Sequence, residues 1–436
     1  MSTSNLTIAE LSEKQWRGEL DIEHEAHPVH SRFPWGEEVA DGLLVFKGTA
    51  SANTVDTGDG LVMLDTGGQP DTADLYQAVR KWRATERLAS AVFSHHHVDH
   101  VFGTGPFEEE ATKNGWSKPI VYGHAALQRN LDRYLRMPGW NTAINIRQFG
   151  EGGIEFSMPD HFRYPDVTYE SQLQFRVGVL TFELHHARGE TEDATWTWVP
   201  ERRILHPGDL FIWSVPNAGN PQKVQRYVGE WAVALRRMAA LKPEVLVPGH
   251  GLPILGTDRV QVALSDTAEF LESIESQVLA LMENGCALDE VLHNVSVPGH
   301  LRDKPYLQPI YDHPQFLVRN VWRQFGGWYD GHPDNLLPAP RVAQAREWVR
   351  LAGGMTAVLS RARELLEEGD AQLASHLVEH AASAEPASQK VHELRASVYR
   401  ARAAMERSSM ARNIFIHTAL SSDVVRVDRA LRPAGS

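Results

Sequence analysis

The chain has 436 residues, of which 42% are hydrophobic and 23% charged, and its formal net charge is −13. This composition is typical of a folded globular protein of about two or three domains, and the negative charge argues against a nucleic-acid partner because nucleic acids are polyanions. The sequence contains a single cysteine, Cys286, and 21 histidines. An internal disulfide and a cysteine-rich zinc module are therefore excluded, and any metal must be held by histidine and carboxylate.

Residues 1–20 do not combine a basic start with an apolar run of about 7–15 residues, as a secretory signal would. No later stretch approaches about 18 consecutive apolar residues. The lack of disulfides is also typical of a reducing compartment. We therefore expect a cytoplasmic protein without a membrane span.

Residues 45–256 alternate short apolar runs with helical patterns. In this region Leu75, Ala78, Val79 and Trp82 share one face of a predicted helix. The predicted strands are 60–64, 89–93, 120–122, 179–184, 195–199, 203–205 and 245–247. Because strands alternate with helices, the pattern predicts an α/β fold, with functional residue types at the strand ends.

The character of the sequence changes after residue 256. Residues 257–285 have the spacing of one amphipathic helix, residues 300–340 are rich in aromatic residues and proline, and residues 341–420 have helical periodicity. Residues 361–386 are typical of a helix, a Gly-Asp turn and a second helix, similar to a tetratricopeptide-like hairpin. We predict a catalytic domain over 1–256, a helical and aromatic connection over 257–340, and an all-α domain over 341–436.

The segment 94–100, directly after a predicted strand, contains His-x-His-x-Asp-His. Imidazoles and a carboxylate packed this closely can reach two adjacent divalent ions, because alternate side chains of the loop point to different sides. Three further metal-ligand residue types follow later predicted strands, each beside a glycine that lets the backbone approach an ion: Glu190, Asp209 and His250. An adventitious histidine tract on a surface loop would need neither Asp99 nor these matching residues.

These motifs resemble those of the metallo-β-lactamase superfamily, over roughly residues 40–255. The resemblance implies an αββα sandwich that carries two metal ions along one edge. Carried over position by position, it implies a first metal bound by His95, His97 and Glu190, a second bound by Asp99, His100 and His250, and Asp209 as a bridge between them. Asp65 and His206 are expected to support these ligands or to serve in turns and packing.

Glu190 indicates one particular group of enzymes within the superfamily. Members of the superfamily usually have a histidine at this position, whereas its dinuclear alkylsulfatases have a glutamate. Residues 326–333 and 409–413 also resemble the alkylsulfatase dimerisation domain, over about residues 260–415, although His332 stands where that domain usually has asparagine. The second resemblance implies a homodimer.

Together the resemblances imply a hydrolase that cleaves a sulfate ester, a small anionic substrate, with a hydroxide held between two zinc ions. Manganese and iron are the alternative metals. Asp99 and Asp209 would serve the reaction as well as the metals. Related enzymes cleave either the C–O or the S–O bond of the ester, and both reactions stay open here.

Residues after Asp209 are expected to contact the sulfate group. Related enzymes place a sulfate-binding arginine in this region, and Lys223 or Arg226 is the nearest cation. Asn217 and Asn220 are expected to donate further hydrogen bonds to the oxyanion. For each of the four residues the alternative is a turn that caps the helix beginning near residue 226.

The formal charges predict a preference among substrates. Two divalent cations contribute +4 and the three carboxylates of Glu190, Asp99 and Asp209 contribute −3, so that one hydroxide makes the site neutral. A histidine at position 190 would leave one more positive charge. We therefore expect Glu190 to disfavour dianions such as phosphate monoesters relative to monoanionic sulfate esters.

Other functions are open on the same scaffold, because a fold does not fix a reaction. One is the hydrolysis of another ester, a sulfamate, a thioester, a lactone or a phosphodiester. Another is an iron-dependent oxidoreductase, which needs a flavin-binding domain that the helical tail does not resemble. A scaffold protein with a vestigial site is disfavoured because every ligand position holds a competent residue.

Overall fold

The computed structural model describes residues 6–20, 35–149 and 157–430. The chain divides into two compact units. The first comprises Met1–Pro138 and Pro159–Trp328, and the second comprises Gly139–Met158 and Tyr329–Ser436. The compact units do not begin or end at residues 256 and 340, where the sequence predicts domain boundaries. Those boundaries divide the chain by function and stay a prediction.

The first unit contains two mixed β-sheets. One sheet has the strand order β1-β2-β3-β4-β5-β6-β7, formed by β1 (Gly36–Ala40), β2 (Leu43–Lys47), β3 (Ser51–Asp56), β4 (Leu61–Leu64), β5 (Leu88–Val92), β6 (Ile120–His124) and β7 (Val167–Tyr169). Neighbouring strands are antiparallel from β1 to β4 and parallel from β4 to β7.

The other sheet has the order β13-β12-β11-β10-β9-β8, formed by β8 (Gln172–Val177), β9 (Leu180–His186), β10 (Thr195–Val199), β11 (Ile204–His206), β12 (Val245–Leu246) and β13 (Ile254–Leu255). Its neighbouring strands are antiparallel except β11 and β12, which are parallel.

The helices are, in chain order, α1 (Ile8–Trp16), α2 (Thr72–Trp82), α3 (Gly105–Asn114), α4 (Ala126–Arg136), α5 (Pro138–Phe149), α6 (Val228–Ala240), α7 (Thr257–Glu283), α8 (Leu288–Asn294), α9 (Pro314–Gly326), α10 (Arg341–Leu351), α11 (Met355–Glu367), α12 (Ala371–Ala384), α13 (Gln389–Met405) and α14 (Ser409–Ala430). None of these described helices is long and apolar enough to cross a bilayer.

Apolar side chains of both sheets meet in one buried core, to which β4 contributes Val62 and β9 contributes Phe182 and Leu184. Helix α2 packs on the outer face of β1 and β2. A second core joins the other sheet to α6 and α7, where Trp231 and Phe270 are buried. The helix–sheet–sheet–helix layering confirms the predicted αββα sandwich, because each amphipathic helix buries its apolar stripe on a sheet.

The second unit is helical and consists of α5, apart from its first residue, and α10–α14. Its core includes Leu365 of α11, Val378 of α12 and Val398 of α13. Asp370 begins α12 by accepting a hydrogen bond from the backbone N–H of Leu373 at 2.8 Å, a common N-cap. The predicted helical tail and its Gly-Asp hairpin are confirmed.

Candidate metal centre

Loops that follow strands bring the predicted ligands together. The loop after β5 carries the His-x-His-x-Asp-His segment, and the loops after β9, β11 and β12 carry one ligand each. The residues form two groups, in each of which the ligand atoms lie within 4.8 Å of one another: His95, His97, Glu190 and Asp209 in the first group, and Asp99, His100 and His250 in the second. All seven predicted ligands therefore belong to one centre.

Asp209 faces both groups. Its Oδ2 lies 3.7 Å from Nε2 of His95 and 3.4 Å from Nε2 of His250. Its Oδ1 lies 3.5 Å from Nε2 of His100. This placement fits a carboxylate that bridges two ions, as the resemblance implies.

The ligand atoms are suited to cations. Among the described residues, Nε2 of His100, Oδ1 of Asp209 and Oε2 of Glu190 are buried without a hydrogen-bond partner. Burying a polar atom without a hydrogen-bond partner costs free energy, unless another interaction such as a bound cation replaces the missing bond. A set of imidazole nitrogens and carboxylate oxygens fits zinc and other divalent transition metals, so the residues present fit the implied metals.

Gly249 lets the loop of His250 approach Asp209. Its N–H donates to the backbone carbonyl of Gly208 at 2.9 Å. A Cβ at position 249 would stand 2.1 Å from Oδ1 of Asp209. The predicted close backbone approach beside this ligand is therefore real, and it requires glycine for steric reasons.

Asp65, at the end of β4, orients two ligands. Nδ1 of His100 donates to Oδ2 of Asp65 at 2.8 Å, which leaves Nε2 of His100 to face the centre. Ser94 donates to the same carboxylate from its backbone N–H at 2.7 Å and from Oγ at 2.8 Å. Nδ1 of His95 donates in turn to Oγ of Ser94 at 2.9 Å. The predicted supporting role of Asp65 matches these contacts.

Neighbouring histidines lower the pKa of Asp65. Burial would raise the pKa of this carboxyl, but His100 and His206 hold the pKa well below its ordinary value. Nε2 of His206 lies 3.2 Å from Oδ2 of Asp65. Asp65 also has φ 56°, in the left-handed region that aspartate tolerates better than most residues. The turn thus points its side chain into a set of donors.

The ligand carboxylates attract protons where metals would bind. Burial lowers the pKa of His250, but Asp209 and Asp99 outweigh burial and raise this pKa to about 10. His100 likewise has a raised pKa because nearby carboxylates, Asp209 foremost, outweigh burial. The pKa of His95 is lowered to about 4, mainly by burial and then by the charge of His100. Positive charge is therefore favourable beside the carboxylates of Asp99 and Asp209.

Glu190 has two supporting residues of its own. Arg226 donates from Nη1 to Oε1 of Glu190 at 2.6 Å, and Nδ2 of Asn217 donates to the same oxygen. Burial, together with the charge of Asp209, raises the pKa of Glu190 to about 8 although Arg226 opposes the rise. A cation bound in the first group would favour the ionised carboxylate, which pairs with Arg226. Oε1 of Glu190 lies 3.7 Å from Nδ1 of His97. Two of the predicted sulfate-binding residues thus contact a predicted metal ligand.

The other two predicted contacts are placed differently. Oδ1 of Asn220 accepts from the backbone N–H of Gln222 at 3.0 Å, which is a turn contact. Lys223 is half-buried, and burial and the charge of Arg226 lower its pKa to about 8 while Asp99 raises it. Lys223 therefore lies within electrostatic reach of the centre. The predicted substrate contacts of all four residues stay predictions.

The loop that holds Asn217 is fixed by a residue that the sequence analysis missed. The backbone N–H of Gly219 donates to Oδ2 of Asp312 at 2.7 Å. Asp312 is fully buried, and burial raises its pKa to about 7 although backbone N–H groups oppose the rise. No local pattern marks this aspartate, because its partner lies 93 residues away.

The fold and the ligand groups define a metal-binding hydrolase of the two-sheet sandwich type. Residues 47–250 match the metallo-beta-lactamase superfamily, and residues 287–423 match the alkyl sulfatase dimerisation domain. The chain thus combines a metallo-β-lactamase superfamily domain with an alkyl sulfatase dimerisation domain.

Similar proteins are alkylsulfatases. A linear primary-alkylsulfatase of Pseudomonas sp. (strain ATCC 19151) is 25% identical over 367 residues, which cover 79% of this chain and 69% of that protein. An (R)-specific secondary-alkylsulfatase of Pseudomonas sp. is 27% identical over 413 residues, which cover 88% of this chain and 62% of that protein. The chain therefore spans about two thirds of the length of these relatives.

A solved structure supports the fold. The structure of a stereoselective inverting sec-alkylsulfatase from Pseudomonas sp. superposes with a TM-score of 0.81 at 24% identity. The match covers 89% of this chain and 65% of that chain. The fold of the sandwich and that of the helical region are therefore both shared, and a shared fold does not fix the substrate.

Proposed function

We propose that the protein is a dinuclear zinc hydrolase that cleaves a sulfate ester. The observation that carries the proposal is the position of Asp209, whose two carboxylate oxygens face histidines of both ligand groups. Glu190 in the first group and the similarity to alkylsulfatases support a sulfate ester as the substrate class. We further propose a cytoplasmic homodimer that associates through its alkyl sulfatase dimerisation domain.

The chain's own residues would divide the work. Two divalent ions, when bound, supply an acidified water and offset the charge that develops on the ester oxygens. Asp209 would orient the attacking oxygen from between the groups. Asp65 holds His100 with Nε2 toward the centre, and Arg226 and Asn217 hold Glu190. Lys223 would attract the anionic ester.

Metal reconstitution and a substrate panel test the proposal. The protein is stripped with a chelator, reloaded with zinc, manganese or iron, and assayed on sulfate esters, sulfamates, phosphodiesters, thioesters and lactones. We expect two zinc ions per chain and the highest turnover on a sulfate ester. Hydrolysis of another member of the panel alone would contradict the substrate class, and redox activity with iron would contradict the reaction.

Asp99→Ala is the inactive variant of this experiment. Asp99 lies 3.2 Å from Nε2 of His250, so its loss should remove the second ion and lower turnover by at least about a hundredfold. Asp160→Ala is the matched control, since the side chain of Asp160 is 94% exposed. Full activity of Asp99→Ala would contradict the mechanism.

A further inference from the structure

His96 lies between two metal ligands in the chain, but its side chain has other partners. Its Nδ1 lies 2.8 Å from Oδ1 and 3.1 Å from Oδ2 of Asp193. Its Nε2 lies 3.2 Å from Nη2 of Arg133, in helix α4. His96 and Asp193 are both buried, with exposed fractions of 2% and 0%. A buried imidazole thus sits between a carboxylate and a guanidinium.

The contacts define which nitrogen carries the proton. A guanidinium can only donate, so Nε2 of His96 must accept from Arg133. Nδ1 of His96 therefore carries the hydrogen and donates to Asp193. A hydrogen bond to an ionised carboxylate is stronger than one between two neutral groups. Because a carboxylate only accepts, the imidazole must be the donor. Neither nitrogen of His96 is left for a metal.

The bond joins two of the three loops that carry the first ligand group. His95 and His97, on either side of His96, follow β5 of one sheet, whereas Asp193 lies between β9 and β10 of the other. Asp193 is three residues after Glu190, in a loop closed by a 2.9 Å bond from the N–H of Ala187 to the carbonyl of Ala194. Next to it, the N–H of Thr195 donates to the carbonyl of Ser94 at 2.7 Å.

We propose that His96 and Asp193 are positioning residues for the first ligand group, because their bond fixes the distance between the loop of His95 and His97 and the loop of Glu190. The proposal rests on the proposed metal centre but not on its substrate. Residues that orient ligands in this way change metal affinity by about ten- to a hundredfold when they are replaced. A residue needed only for packing would instead change stability.

Two substitutions at one position separate the contacts of His96. His96→Asn places an amide donor near the position of Nδ1 and keeps the bond to Asp193. His96→Gln places its amide near the position of Nε2 and keeps a group beside Arg133 only. We expect His96→Asn to bind two zinc ions as the wild type does, and His96→Gln to bind one of them about ten- to a hundredfold more weakly.

Zinc titration of the stripped proteins against a chromophoric chelator measures both affinities without any assay of turnover. His97→Ala and His250→Ala identify the step that belongs to each ligand group, and His96→Gln should weaken the step that His97→Ala weakens. Circular dichroism and thermal unfolding report on the fold of every variant.

The outcomes are distinct. Wild-type affinities in His96→Gln, equal weakening in His96→Asn and His96→Gln, weakening of the His250 step, or failure of His96→Gln to fold would each overturn the proposal. If the wild-type protein itself does not bind two ions, the proposed function fails instead. Selective weakening of the His97 step in His96→Gln alone would support the positioning role.

Discussion

Arg226 and Glu190 form a buried ion pair in which Nη1 donates to Oε1 at 2.6 Å. The same guanidinium donates to the backbone carbonyl of Asn217. A substrate sulfate would have to compete with these contacts, and breaking a buried ion pair is costly. The structure therefore favours Arg226 as a residue that holds a metal ligand. Burial lowers the pKa of Lys223, but Asp99 and Glu190 both raise it, and we propose Lys223 as the contact of the ester anion.

Replacing Arg226 should affect the metal before the substrate. In Arg226→Gln the carboxylate of Glu190 loses its charged partner inside the protein, so we expect zinc to bind about ten- to a hundredfold more weakly. The free energy of unfolding should fall by about 3 kcal/mol. Zinc titration and urea unfolding measure the two effects. A raised KM with unchanged zinc affinity and stability would show instead that Arg226 binds the ester.

Replacing Lys223 should affect the binding of the ester and leave the binding of zinc unchanged. Lys223→Met removes a positive charge near Asp99 and Glu190 without removing a ligand. A hydrogen bond to a charged group contributes about 1.5–3 kcal/mol, so we expect KM for a sulfate ester to rise about ten- to a hundredfold at unchanged zinc content. Lys118→Met, at a side chain that is 61% exposed, is the control. An unchanged KM would exclude Lys223 as the anion contact.

The ion pair also alters the charge balance predicted from the sequence. The charge of Arg226 offsets that of Glu190, so the glutamate disfavours dianions less than the carboxylates alone imply. In Glu190→His the carboxylate is lost and the guanidinium is released, and both changes favour a dianion. We expect the ratio of phosphate monoester to sulfate ester turnover to rise. Glu190→Asp, which keeps the charge, should leave the ratio close to that of the wild type, and an unchanged ratio in both variants would contradict the argument.

The ligands could be predicted because each follows a strand in a local pattern, and the fold brings strand ends to one edge. A supporting role could be predicted for Asp65 and His206, but the contacts that the supporting residues make could not, because the partners are distant in sequence: Asp65 and His206 are 141 residues apart and His96 and Asp193 are 97 apart. The sequence shows that Arg226 is positive and close in the chain to Asp209. It does not show whether the guanidinium faces a substrate or Glu190, because that depends on how two loops pack.

Asp65 offers a test of ligand orientation. Ser94, His100 and His206 all donate hydrogen bonds to the carboxylate of Asp65. Asp65→Asn keeps the shape of the side chain but replaces one acceptor oxygen by an amide donor, so at least one of these hydrogen bonds is lost. We expect the free energy of unfolding to fall by about 3 kcal/mol and zinc affinity to fall about ten- to a hundredfold. Asp160→Asn, at an exposed position, controls for the loss of charge. Wild-type zinc affinity would show that the imidazoles keep their orientation without Asp65.

Gly249 tests whether Asp209 is fixed between the groups. The Cβ of Gly249→Ala would overlap Oδ1 of Asp209 at 2.1 Å, and the bond from Gly249 to Gly208 resists a backbone shift. Asp209 must therefore move, and we expect weaker binding of at least one ion and turnover lower by about a hundredfold. In Gly105→Ala the new Cβ meets nothing within 4 Å at the start of α3, so metal content and turnover should stay at wild-type levels. Two tightly bound ions and full turnover in Gly249→Ala would mean that Asp209 can bridge from a second position, and the close approach of the two loops would then serve folding rather than the metals.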